Sequence, residues 1–357
     1  MFWMKILGIE TSCDETAAAV IEDGNSLLSN EILSSMDLHA QYGGVIPEIA
    51  ARSHIEAIMP VIDNALKNAH LTMSDINAIA VTQGAGLSGS LLIGVLTAAT
   101  LAIDFSKPLF PVNHVIGHVY ANFLTDSHLE NYVMPDQQPT FPMLAVIVSG
   151  GHSQLALFSS HLDYKLLGVT RDDAVGEAFD KVAKIIGLPY PGGPSVSKLA
   201  CQGNPEKYKF PEAKLDSDYD FSFSGPKTAV LRLAQAEIGE DFNFPSFRIA
   251  DRLKMTQKAD IAASFQSSVV STIASKVKKA ITEFNPKTVV IAGGVAANTA
   301  LRNAIGQLIT DQIFIVPDLK LCTDNAAMIA TRGYYQIVNG ISPINPFEID
   351  VMPNLKM

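Results

Sequence analysis

Cysteine is scarce in this chain: three residues, Cys13, Cys201 and Cys322, are scattered through 357 positions and share no paired spacing. That excludes a disulfide framework, and it suits a reducing compartment. Long apolar runs are also missing. The longest, Leu91 to Ile103, is shorter than the ~20 residues that span a bilayer and is interrupted by Gly94, Thr97 and Thr100. It reads as a buried helix. The opening stretch, Met1 to Ile9, carries one lysine and no small-residue cleavage site, so no secretory signal is expected and the cytoplasm is the expected location. Charge is sparse as well, 17% of residues, and its balance is acidic at a formal net −10. A self-sufficient nucleic-acid binder carries a basic footprint, which this sequence lacks. Even Lys198 to Lys258 holds ten Lys or Arg against nine Asp or Glu.

What is present is apolar mass: 48% of residues are hydrophobic, enough for sizeable buried sheets. The length exceeds what one core usually serves, so two lobes are expected. Strand patterns support this. Ile6 to Glu10, Thr16 to Glu22 and Leu27 to Leu33 read as a meander with a polar turn at Thr11 to Glu15. After the proline-rich stretch Met134 to Pro142 the pattern returns as Met143 to Val148, Ser153 to Phe158 and Tyr164 to Val169, with the turn at Ser149 to His152. Ala78 to Thr82 leads into Gly84, Gly86, Gly89 and a helix, and Thr288 to Ala292 leads into Gly293, Gly294 and a helix. Each half closes on a short strand and a last helix beginning near His114 or Asp324. The economical reading is an internally duplicated α/β protein with two lobes around a cleft. The first lobe is expected over 1–133, completed by a C-terminal helix over 325–357; the second is expected over 134–324 with a helical insertion at 171–265. Glycine turns and helix N-termini are ready anion sites, so the cleft is expected to hold phosphate.

His114 and His118 stand four residues apart, which on a helix places both imidazoles on one face, as a metal requires. The duplication sets Asp324 at the equivalent position of the other half. Two histidines and a carboxylate leave open positions for phosphate oxygens and water. A zinc-peptidase reading needs a glutamate beside the first histidine, but Val115, Ile116 and Gly117 fill that gap.

Eight stretches in order carry a resemblance over nearly the whole chain: Leu7 to Thr16, the His114 and His118 pair, Ser149 to His152, Asp172 to Lys184, Pro191 to Pro194, Ser222 to Gly225, Gly293 to Asn298 and Cys322 to Ala327. The chain resembles the TsaD family of tRNA N6-adenosine threonylcarbamoyltransferases, also known as the glycoprotease family. The resemblance implies a duplicated actin-like ATPase fold, related to ribonuclease H, whose nucleotide cleft has been adapted to threonylcarbamoyl-AMP. It implies one divalent metal per subunit, iron before zinc, on His114, His118 and Asp324. Ile147, Val148, Ser149, Gly150 and Gly151 would contact the adenylate, with Asp180, Gly193, Ser197 and Asn298 around its sugar and base; Asp180 and Asn298 are expected to bond ligand rather than core. Asp14 and Glu15 would face the reacting group, and one of them would serve as base. The implied acceptor is tRNA, and the implied partners are a TsaB-like paralogue and a TsaE-like ATPase; a homodimer is a further expected association, and no membrane is expected. Two positions depart from the family pattern: Ser153 replaces a threonine and keeps its hydroxyl, whereas Pro226 replaces a leucine and loses a backbone donor, which puts the shape of its loop in question. Against this stand two rival readings. One is an ATP-dependent small-molecule kinase or ATPase of the same superfold, which has no need of the histidine pair. The other is a non-catalytic scaffold subunit, in which the ligands should have decayed.

Overall fold

The computed structural model describes residues 3–357, and the chain divides into two compact units. The first comprises the chain up to Thr140 together with Ser159–Tyr164 and Ile315–Met357; the second comprises Phe141–Phe158 and Lys165–Phe314.

In the first unit, β1 (Lys5–Glu10), β2 (Glu15–Glu22) and β3 (Ser26–Ser34) form the meander, followed by α1 (Met36–Ala40), α2 (Pro47–Asn68), β4 (Ala78–Gly84), α3 (Ser88–Asp104), β5 (Leu109–Asn113), α4 (His114–Tyr120) and β6 (Asp126–Ser127). The sheet order is β5-β4-β1-β2-β3-β6. β1 runs antiparallel to β2 and parallel to β4. Strand alternation divides the core: Leu7, Ile9, Ala18 and Val20 pack with Ile58, Val61 and Val95 of α2 and α3, while Ile6, Ala17, Ala19 and Ile21 pack on the other face with Ala326 and Ala330. The second face belongs to the last helix of the chain. Its approach explains Gly8, where a Cβ would sit 2.2 Å from the Ala326 carbonyl oxygen.

The second unit repeats the plan with β7 (Met143–Val148), β8 (Ser153–Phe158) and β9 (Tyr164–Val169), then α5 (Val175–Ile186), α6 (Gly192–Ala200), α7 (Ser224–Glu237), α8 (Met255–Phe284), β10 (Thr288–Ala292), α9 (Thr299–Gly306) and β11 (Ile313–Ile315). Its sheet order, β11-β10-β7-β8-β9, is the order of the first five strands of the other sheet. β7 and β8 are antiparallel, and β10 and β7 parallel, as their counterparts are. This identity of topology makes the duplication a structural fact rather than a likeness of motifs.

The last helix, α10 (Ala326–Val338), is shorter than the sequence pattern suggests. It stops where Gly340 adopts φ +82°, and Pro343, Pro346 and Pro353 bar any continuation. The tail instead straps the first unit. Ile344 N–H donates to the Leu109 carbonyl at 2.9 Å, Met352 N–H to Gln83 at 2.8 Å, and Gly86 N–H to Pro353 at 3.1 Å. Among the described residues, no helix is long and apolar enough to cross a membrane.

Candidate active site

In the first unit, α4 starts at His114 because Asn113 caps it, its side-chain oxygen accepting from Ile116 N–H at 3.1 Å. α10 starts in the same way, with Asn325 accepting from Met328 N–H at 3.1 Å, which leaves Asp324 immediately before the helix. The two helix starts bring three ligand atoms together. His114 Nε2 lies 3.5 Å and His118 Nε2 3.2 Å from Asp324 Oδ1. The three donors lie within 4.8 Å of one another.

The donor set fits a cation. His118 is buried, and neither of its ring nitrogens has a hydrogen-bond partner, because the short approach of Nε2 to Asp324 lacks hydrogen-bond geometry. A buried imidazole with both nitrogens orphaned is costly unless a further group satisfies it. Burial opposes charging His114, yet the Asp324 and Glu10 carboxylates outweigh it and lift the imidazole to about 9. A cation would take the place of that proton.

Beside this cluster, the turn from Thr11 to Asp14 is held by its own carbonyls. Leu87 N–H donates to Ser12 at 2.8 Å, His54 Nε2 to Cys13 at 3.0 Å and Ser35 N–H to Asp14 at 2.9 Å. Burial, then Asp324 and Asp14, push the Glu15 carboxyl well above the ordinary carboxylate range. Glu15 is therefore a proton donor at neutral pH. The Cys13 thiol is likewise pushed up, first by burial and then by Asp14 and Asp324, so it offers no thiolate nucleophile.

The glycines after β4 have packing explanations rather than a phosphate one. A Cβ on Gly84 would stand 1.9 Å from the Met352 carbonyl oxygen, and one on Gly86 2.6 Å from that of Ser12. Gly150 and Gly151 differ: a Cβ at either meets nothing within 4 Å, which leaves backbone that a ligand can approach.

In the second unit, Ile147 and Val148 are buried at the end of β7, and Ser149 to Gly151 turn into β8. This turn sits close to α5 and to the turn after β10. A Cβ on Gly176 would lie 2.8 Å from Gly150 Cα, and one on Gly293, held at φ +90°, 2.5 Å from the Val148 carbonyl oxygen. Asp180 accepts from Gly192 N–H at 2.6 Å, so it fastens the start of α6, where Gly193 also lies. Burial raises its carboxyl, while the Gly192 hydrogen bond works in the other direction. Asn298 caps α9 through Leu301 N–H at 3.0 Å, and its amide donates to Ser197 Oγ at 2.8 Å and Gln266 Oε1 at 2.9 Å. These two side chains thus bond core elements, contrary to the expectation that they bond ligand alone. Asp180→Ala and Asn298→Ala are each expected to lower stability by about 1 to 2 kcal/mol, read as a shift in urea midpoint.

Pro226 sits in the first turn of α7, where a backbone donor has no helical partner to lose. Asp172 secures the Ser222 to Gly225 loop, accepting from Phe223 and Ser224 N–H at 2.8 and 3.2 Å.

Three residues escaped sequence reasoning. Gln266 joins Ser197 to Asn298 from the middle of α8, where periodicity alone marks no function. Glu10 and Thr82 lie behind His114. The available signal was a carboxylate ending the otherwise apolar strand Ile6 to Ile9, which a sheet buries only for a purpose.

Fold and site together define an actin-like, duplicated α/β protein with a cluster of two buried histidines and a half-buried carboxylate. Residues 26–331 match the family described as TsaD, tRNA N6-adenosine threonylcarbamoyltransferase, and the chain belongs to that family. It is similar to the protein of that name from Thermomicrobium roseum, with 48% identity over 365 residues, 99% of this chain and 97% of the relative. The Staphylococcus haemolyticus protein of the same name is 46% identical, over 94% of this chain and 92% of its own. Among solved structures, that of T. kodakarensis HypF is similar at TM-score 0.60 and 13% identity, covering 94% of this chain and 48% of HypF, which shows the fold alone. The chain is therefore a tRNA-modifying acyltransferase. The kinase and scaffold readings fall.

Proposed function

We propose that the chain transfers the threonylcarbamoyl group from threonylcarbamoyl-AMP to N6 of the adenosine 3′ to the anticodon, in tRNAs reading codons that begin with A, and releases AMP. The observation that carries this reading is the orphaned His118 beside His114 and Asp324 in a chain of this family. His114, His118 and Asp324 would hold one divalent cation, iron(II) before zinc. When bound, it supplies positive charge that polarises the donor and favours a phosphate leaving group.

The chemistry otherwise belongs to the chain. The N6 amine is a poor nucleophile because its lone pair is delocalised into adenine, so the donor has to be an activated mixed anhydride. Ile147 to Gly151 offers open backbone to the adenylate, with Asp180, Gly193, Ser197 and Asn298 about its sugar and base. Asp14 would accept the amine proton, and Glu15, protonated, would hydrogen-bond rather than take it. No covalent enzyme intermediate is needed. The chain would work with a TsaB-like paralogue and a TsaE-like ATPase in the cytoplasm, with self-association into a homodimer as a further association.

The test is mass spectrometry of tRNA nucleosides from cells depleted of the protein. Threonylcarbamoyl-adenosine should fall while other modified nucleosides stay constant; an unchanged level would refute the reading.

A further inference from the structure

Glu10 is fully buried at the end of β1, yet each of its carboxylate oxygens is held. Ser12 N–H donates to Oε1 at 2.5 Å, and the Thr82 hydroxyl of β4 donates to Oε2 at 2.5 Å. Oε2 also lies 3.1 Å from His114 Nδ1, which Ser12 Oγ approaches at 3.1 Å as well. One carboxylate thus joins three elements: the turn carrying Asp14 and Glu15, strand β4, and the first residue of α4.

An ionised carboxylate only accepts hydrogen bonds. Facing Nδ1, it holds a ring proton there, so the proton that a cation would displace is the one on Nε2, the nitrogen beside Asp324 and His118. A buried carboxylate is expensive unless paired, and among the described residues no Lys or Arg is hydrogen-bonded to this one, which leaves His114 as its ionic partner. Its position is explained by what it does to His114. We propose that Glu10 is the positioning residue that fixes the tautomer and orientation of His114 for metal binding, an inference that rests on the metal reading of the His114, His118 and Asp324 cluster.

Glutamine in its place should invert the signal. Ser12 N–H demands an acceptor, so the amide oxygen would turn to it and the amide NH2 would face His114. That donor favours the ring proton on Nε2, which blocks the ligating nitrogen.

The experiment is Co2+ titration of the purified, metal-stripped full chain in competition with a chelating dye, with the visible Co2+ spectrum recorded. Wild type is compared with Glu10→Gln, Thr82→Val, His114→Ala and His118→Ala. Glu10→Gln should bind Co2+ about 10- to 100-fold more weakly, the usual cost of losing a ligand's outer partner, and its spectrum should move toward that of His114→Ala. If folded Glu10→Gln keeps wild-type affinity and spectrum while His118→Ala has lost Co2+, the role of Glu10 is overturned and the metal reading stands. Equal Co2+ binding by wild type and His118→Ala overturns the metal reading, and Glu10's role with it. Should Glu10→Gln fail to fold, Thr82→Val decides, since it keeps the charge and removes one anchor: weaker Co2+ binding supports the role, and wild-type binding overturns it.

Discussion

A His114→Ala, His118→Ala protein is expected to fall from about one divalent cation per chain to none and to lose transfer by about three orders of magnitude. The first part follows from donor count, since Asp324 alone cannot hold a cation against water. The second follows from charge. A Lewis-acid centre supplies several kcal/mol to a reaction that expels a phosphate, and each 1.36 kcal/mol is tenfold in rate. The fold should survive. Both histidines sit on a short helix whose cap, Asn113, and whose packing against α10 remain, and removing His118 also removes two unsatisfied nitrogens from the interior. Elemental analysis and transfer assays on protein of native circular dichroism check this together. Equal metal in wild type and double variant would sink the assignment. Metal lost with transfer intact would separate the cation from the chemistry.

The parts of this site that were legible in the sequence are those in which local pattern and chemistry coincide. His114 and His118 are read from helical spacing, and Asp324 from the duplication, because both halves use the same strand, turn and helix. Strands were legible for the same reason: β1, β2, β7 and β8 are apolar runs bounded by polar turns, and no competing pattern obscures them. Glu10 was not legible as a functional residue, since its meaning lies in Thr82 and His114, which are 72 and 104 residues away. Gly84 and Gly86 misled in the opposite direction. A glycine-rich turn suggests phosphate, but the reason for these two is the returning tail at Met352 and the carbonyl of Ser12, and neither is local in sequence. For the tail, the repeat pattern points to helix, whereas Pro343, Pro346 and Pro353 point against it, and the prolines prevail. Asn298 shows a mixed case. The family resemblance marked it, but its hydrogen bonds to Ser197 and Gln266 depend on how α6, α8 and α9 meet.

Transfer by the isolated chain to tRNA is expected to be poor, and addition of the TsaB-like and TsaE-like partners should raise it by about tenfold or more, the change that 1.4 kcal/mol of better docking produces. The argument begins from charge. At a formal net −10 the chain meets a polyanion with little to gain from counterion release, and its most basic-looking stretch is close to neutral. What binding there is rests on a few local cations, so affinity should be weaker than about 10 µM at physiological salt and should fall further as salt rises. A multi-turnover enzyme with such a surface needs another source of positive charge, and partner subunits that complete a basic track are the natural one. The assay is incorporation of labelled threonine into unmodified tRNA with threonylcarbamoyl-AMP supplied, run with the chain alone, with each partner and with both, at two salt concentrations. Full multiple turnover by the chain alone would contradict the dependence. Equal transfer to free adenosine would show that the tRNA body contributes nothing, and the charge argument would then have no object.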